Sequence, residues 1–318
     1  MTAPKIYRYD DDNAPVASGL PGSLVGLLRA CLVDGYGDKT PAGWTMPHAN
    51  AEGTLAAFRN NLESGSGFQL QVDNPNHTAK LQGYEDMTDE ATGNKPFIAS
   101  PLFVNATANW NSNQPHPWIV FADDRFFLAV VWKADTISAF ENSLADRSAT
   151  QSGYIWISLF GDGIPLSGSD NYFCLLFTNG NDGTAALRTF ESSMGIYAYG
   201  AFQHAARNIA GVDAAAQCAL IAGGGPLCLG TEGVTHHDAL PARVPGHEIV
   251  SRPYVNDGTE YSMRGYVPGL WHSCHKYTDL DQFEVIEAGA HRLMVVKFAG
   301  SSGYRNHILV DISEHWRP

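Results

Sequence analysis

Residues 118–132 read WIVFADDRFFLAVVW. Two runs of apolar, aromatic and β-branched residues, 118–122 and 126–132, flank Asp123-Asp124-Arg125. Runs of this length joined by a short polar connection predict two strands of a β-hairpin. The pattern recurs outward from there. Residues 154–160 and 172–177 are separated by GDGIPLSGSDN, and residues 291–298 and 307–312 by AGSSGYRN. Closer to the N-terminus, 68–72 and 80–84 alternate apolar and polar residues, the period of a half-buried strand, with 73–78 as the turn.

One segment departs from this period. In residues 22–33, GSLVGLLRACLV, the side chains Leu24, Leu27, Leu28, Cys31 and Leu32 recur at helical spacing. Gly22-Ser23 supplies an N-cap, and Gly35 with Gly37 stops the helix. Gly35, Gly37 and Gly43 are expected to shape a fixed turn that folds Trp44 back onto the core. The fold class is therefore α+β, mainly antiparallel β-sheet built of hairpins, with one short N-terminal helix. Residues 1–318 read as one compact β-rich unit. Residues 184–250, rich in Gly, Ala and His and broken at Gly223-Gly224-Gly225-Pro226, read as an inserted loop layer or a partner-binding region. No solenoid-length repeat and no long heptad pattern occurs.

The charge pattern excludes several function classes. The chain has 318 residues, 44% hydrophobic and 17% charged, which supports a sizeable core rather than a disordered acidic protein. With 33 acidic and 20 basic residues the formal net charge is -13. No dense run of Lys and Arg is present, so neither nucleic acid nor an anionic membrane surface is an expected partner. No stretch of about 18 uninterrupted apolar residues exists, so no membrane span is expected. The opening residues MTAPKIYRYDDD lack the apolar centre of a secretory signal, which points to synthesis in a cytosol. Five scattered cysteines, Cys31, Cys174, Cys218, Cys228 and Cys274, do not form a disulfide framework; Cys31 and Cys174 sit in apolar runs and read as small core residues.

Each group of residues with chemical potential has a plainer explanation. His236-His237-Asp238, with His247 and Glu248, offers nitrogen and oxygen ligands to zinc. The spacing matches no metal motif, and Pro241 and Pro245 break any helix across it. His272-Ser273-Cys274-His275 contains a Cys/His pair, but neighbours on a strand point to opposite faces; it reads as a hairpin edge with partly buried histidines. The triple glycine lacks the rest of a phosphate-binding loop. The acidic runs Asp10-Asp11-Asp12-Asn13 and Asp123-Asp124 carry hard oxygen ligands for Ca²⁺ without an EF-hand pattern, and read as solvated turns. Trp118, Trp132 and Trp156 lie in strand patterns and are assigned to the core. Trp110, in the polar loop NATANWNSNQPHPW, is the best candidate for an exposed aromatic contact. Together with His116, His236 and His237 it is a candidate interface residue. The expectation is no catalytic residue, no required metal and no cofactor.

The N-terminal third resembles an uncharacterised family encoded among the late genes of tailed bacteriophages and prophages. The resemblance lies in GSLVGLLRACLVDGYG from Gly22 and in Ala42-Gly43-Trp44-Thr45. It continues in Gly83-Tyr84-Glu85-Asp86-Met87-Thr88-Asp89, with Thr92-Gly93 and Pro96-Phe97 after it, and in the stretch from Pro117 to Phe127. Met263-Arg264-Gly265-Tyr266-Val267-Pro268-Gly269-Leu270-Trp271 and the 291–298 strand are similar to that family's last section. The resemblance implies a virion structural protein of the tail or baseplate, made in the host bacterial cytoplasm. Its implied partners are other virion proteins, in a homo-oligomer or ring. It implies no catalytic residues. Head decoration is the second structural role; a glycan-binding or hydrolytic module at the tail tip is the rival class.

Overall fold

The computed structural model describes residues 2–97, 102–104, 113–133, 137, 140, 154–168, 170–179, 201–208, 210–211, 216–222, 243–244, 246, 250–257, 262–273, 275, 279–299 and 305–317. The 118–132 run forms strands Trp118–Ala122 and Phe126–Lys133, antiparallel, with Ala122 opposite Phe127. Every residue of the first strand is buried. The reason is that the hairpin lies in the middle layer of the protein, with an apolar core on each face.

One core gathers Val120, Ala122, Phe127, Ala129 and Val131 with the helix and with Phe58, Leu70, Val72 and Leu81. The other gathers Ile119, Phe121, Phe126, Leu128 and Val130 with Met294, Val296, Ile308 and Val310. Alternate residues of one hairpin therefore serve two cores, which is why the run has no polar face.

The middle layer is a ten-stranded sheet, all of whose pairings are antiparallel. Its order is Lys5–Arg8, Trp118–Ala122, Phe126–Lys133, Tyr154–Asp162, Cys174–Asn179, Ala201–Ala205, Ala216–Ala222, Pro253–Asp257, Ser262–Tyr266 and Ile164–Pro165. The last strand follows Tyr154–Asp162 after a single residue, Gly163. The sheet thus ends on a strand that continues, through Gly163, from Tyr154–Asp162. Its pairing with Ser262–Tyr266 demands a close backbone approach: a Cβ on Gly265 would lie 2.2 Å from the Ile164 carbonyl oxygen. Only glycine fits there. Two strands of the 184–250 segment, Ala201–Ala205 and Ala216–Ala222, belong to this sheet.

The N-terminal layer pairs Thr45–Ala49, Leu55–Arg59, Gln69–Asp73, Ala79–Met87 and Gly93–Pro96 in that order, with Leu102–Val104 also on Ala79–Met87. The C-terminal layer has the order Val250–Ser251, Leu270–Ser273, Arg305–Asp311, His291–Ala299 and Val285–Ala288. Among the described residues no helix is long and apolar enough to cross a membrane.

The helix runs Ser23–Arg29 and continues as a wider turn, Ala30–Asp34, closed by the Gly35 N–H on the Ala30 carbonyl at 2.9 Å. Its cap corrects the sequence reading. The Ser23 hydroxyl turns away, donating to the Val16 carbonyl at 3.1 Å and accepting from the Ser18 N–H at 2.8 Å. Asn74, fifty positions along the chain, caps instead: its Oδ1 accepts from the Leu24 N–H at 2.9 Å, and its carbonyl from the Gly22 N–H at 2.9 Å. The residue that follows strand Gln69–Asp73 therefore fixes where the helix begins. Beyond the helix, Gly35, Gly37 and Gly43 have φ of 80°, 53° and 104°, and Trp44 is 3% exposed. The Trp44 ring lies 5.7 Å from Phe127 and 6.0 Å from Phe160, tying the N-terminal layer to the middle one.

Trp44→Ala removes the largest side chain of that contact and leaves a cavity. It is expected to cost about 3–5 kcal/mol in urea unfolding. An unchanged midpoint would show that the ring does not hold these layers together.

Candidate functional site

The Asp123-Asp124-Arg125 turn is not a solvated acidic loop. Asp123 is 7% exposed. Its Oδ1 accepts the N–H groups of Arg125 and Phe126 at 2.8 and 2.7 Å, which shapes the turn. Its Oδ2 accepts from Trp316 Nε1 at 2.8 Å and from Arg317 Nε. Its carbonyl accepts from Trp44 Nε1 at 2.8 Å. Arg317 also donates to the carbonyls of Asp162, at 2.7 Å, and Gly163. Burial pushes the Arg317 pKa down, and the Asp123 carboxylate opposes that shift. Asp162 accepts from the Ser66 N–H and hydroxyl at 2.8 and 2.6 Å. These groups join the N-terminal layer, the middle sheet and the C-terminal turn.

A second polar chain runs between layers. Arg264, 1% exposed, forks onto Asp170 at 2.7 and 3.1 Å and donates to the Arg207 carbonyl. Arg207 forks onto Glu85 at 2.5 and 2.7 Å and lies 3.9 Å over the Tyr172 ring. Lys95 approaches Glu85 at 3.5 Å. Paired forks of this kind fix orientation as well as contributing energy. The other acidic run is also engaged: Asp10 pairs with Arg8 at 2.7 Å, and Asp11 with Lys39 at 3.0 Å and the Tyr36 hydroxyl at 2.8 Å. Cys31 and Cys174 are free and buried, and burial pushes both thiols well above their ordinary pKa. They are inert core groups.

A third group carries open chemical capacity, and the sequence reading did not find it. His291 opens strand His291–Ala299, and Asp311 closes strand Arg305–Asp311. Leu293 is opposite Asp311, so His291, two residues before Leu293, shares its face. His291 Nδ1 lies 2.5 Å from Asp311 Oδ2. The carboxylate can only accept, so Nδ1 carries the proton and Nε2 keeps its lone pair in the neutral ring. Asp311 is fully buried, and its Oδ1 accepts from the Ser313 N–H at 2.9 Å and hydroxyl at 2.6 Å. That hydroxyl is thus committed to Asp311 and does not form a Ser-His-Asp relay through His291. Ser313 Oγ accepts from the His315 N–H at 3.1 Å, capping the turn Glu314–Trp316. The His315 ring sits 5.1 Å from the His291 ring, and the half-buried Trp271 ring 4.7 Å from it on the same histidine.

The residues singled out in the sequence fall elsewhere. His116 is 2% exposed and its N–H donates to the Ala17 carbonyl at 2.8 Å, so it lies inside the protein and not on its surface. Trp110, His236, His237, His247 and Glu248 lie outside the described residues. Leu270–Ser273 is not an edge, since Val250–Ser251 and Arg305–Asp311 flank it, and His275 is 1% exposed. Among the described residues no three metal-ligating side chains gather at one point. No family model matches the chain, and no curated protein matches it.

The ion pairs set an acid dependence. Hydrogen bonds and charge from Arg207 hold the Glu85 carboxyl below its ordinary pKa. A carboxyl more acidic in the folded state stabilises fully above its unfolded pKa, about 4.3, and loses that contribution as pH falls through the lower folded value. The melting temperature of Glu85→Gln should therefore lie below wild type at pH 6 and converge on it toward pH 3. Parallel curves would show that the pair is not coupled to folding.

Proposed function

We propose that the chain is a non-enzymatic structural subunit of a tailed-bacteriophage particle, placed in the tail or baseplate as repeated copies and acting through contacts with other virion proteins. The observation that carries this reading is the use made of buried charge. Asp123 with Arg317 and Glu85 with Arg207 tie layers together, and Arg264 with Asp170 braces the middle sheet. This is the pattern of a body built to be rigid. The resemblance to late-gene phage proteins supplies the setting.

Apolar side chains left at the surface are the groups a neighbour would cover. Val16 and Leu20, 59% and 46% exposed, share the segment before the helix. Leu166 and Met263 flank one sheet edge, where the Leu166 N–H donates to the Arg264 carbonyl at 2.9 Å. Stable virion contacts bury on the order of 1,000 Å² or more, and homomeric assembly is normally symmetric.

Mass spectrometry of particles purified from a phage encoding this chain should detect it at several copies per virion. Its absence from particles ends the proposal. A particle reconstruction should place it in a tail or baseplate ring; a head-surface position would make it a decoration protein.

A further inference from the structure

We propose that His291 and His315 form an open site for a divalent transition-metal ion such as Zn²⁺, with Asp311 orienting the first ligand from behind. The inference does not rest on the virion reading.

Three observations carry it. The first is ring separation. Zn–N bonds of about 2.0–2.1 Å at a tetrahedral angle place two imidazole centroids about 5 Å apart. The centroids of His291 and His315 are 5.1 Å apart. The second is the carboxylate behind His291. Nδ1 bonded to buried Asp311 leaves Nε2 as the lone-pair donor, the arrangement in which a carboxylate fixes the tautomer and orientation of a ligating histidine. Asp311 is itself held by Ser313 through two hydrogen bonds, so the support is rigid. The third is what the other nitrogens do. Among the described residues, neither His291 Nε2 nor either ring nitrogen of His315 has a hydrogen-bond partner. The two side chains are only partly buried.

Two imidazoles leave the remaining positions to water. The site is accordingly one of exchangeable binding, without a role in folding. Soft or borderline ions suited to imidazole are its class; Mg²⁺ and Ca²⁺, which demand oxygen ligands, are not. Because His315 lies in the C-terminal turn and His291 in the sheet, an ion there would clip that turn to the C-terminal layer.

The test is titration of the full chain with Zn²⁺ against a chromophoric chelator. It is repeated on His236→Ala/His237→Ala/His247→Ala to separate the other histidine-rich segment. His315→Ala, a partly exposed position, should weaken binding at least tenfold while the metal-free melting temperature stays put. The triple variant should retain one Zn²⁺ that His315→Ala then removes. Asp311→Asn, if folded by circular dichroism, should weaken binding about 10–100-fold. No Zn²⁺ binding by the triple variant, or binding that survives His315→Ala in that background, overturns the site.

Discussion

A single carboxylate holds together parts of the chain that are far apart in sequence. Asp123 uses one oxygen to shape its own hairpin turn and the other to receive Trp316 and Arg317 from the opposite end of the protein. Its carbonyl receives Trp44 from the N-terminal layer. A buried guanidinium is costly unless a charge faces it and its remaining donors are satisfied. Here Asp123 faces Arg317, and the carbonyls of Asp162 and Gly163 take the other donors.

The apolar side of the structure obeys the same logic. A sheet with a core on each face needs strands without a polar face, and residues 118–132 are such a pair. Buried indoles bring an N–H that must find a partner. Trp118 finds the Pro15 carbonyl, Trp132 the Lys297 carbonyl and Trp156 the Thr178 hydroxyl. The first two of these bonds also reach outside the middle sheet. Polar atoms brought inside by large aromatic residues thus become the stitches between elements, and the arginine forks at Asp170 and Glu85 extend the same device.

Much of the fold was legible because its signals are local. Strand periodicity at 68–72, 118–132, 154–160 and 291–298 needs no knowledge of partners, and neither does the helix before Gly35. What needed distant residues was hidden. The helix cap came from Asn74 and not from Ser23. Asp123 looked like a solvated turn because its partners, Trp316 and Arg317, are about two hundred residues away. The His291–Asp311 pair depended on register. The observed pairing sets Phe298 opposite Asn306 and Leu293 opposite Asp311. A slip of one would move every side chain to the opposite face, so the pair cannot be read from the strand pattern without the register.

Asp123 offers the most direct measurement of this account. In Asp123→Asn the side chain keeps its shape but leaves Arg317 buried without a counter-charge. Urea unfolding should show a loss of about 3–5 kcal/mol. Adding Arg317→Met should recover a substantial part of it, since an apolar pair of similar volume no longer buries a charge. A loss under about 1 kcal/mol, of the size expected for an exposed ion pair, would contradict the claim that this carboxylate joins the two ends of the chain.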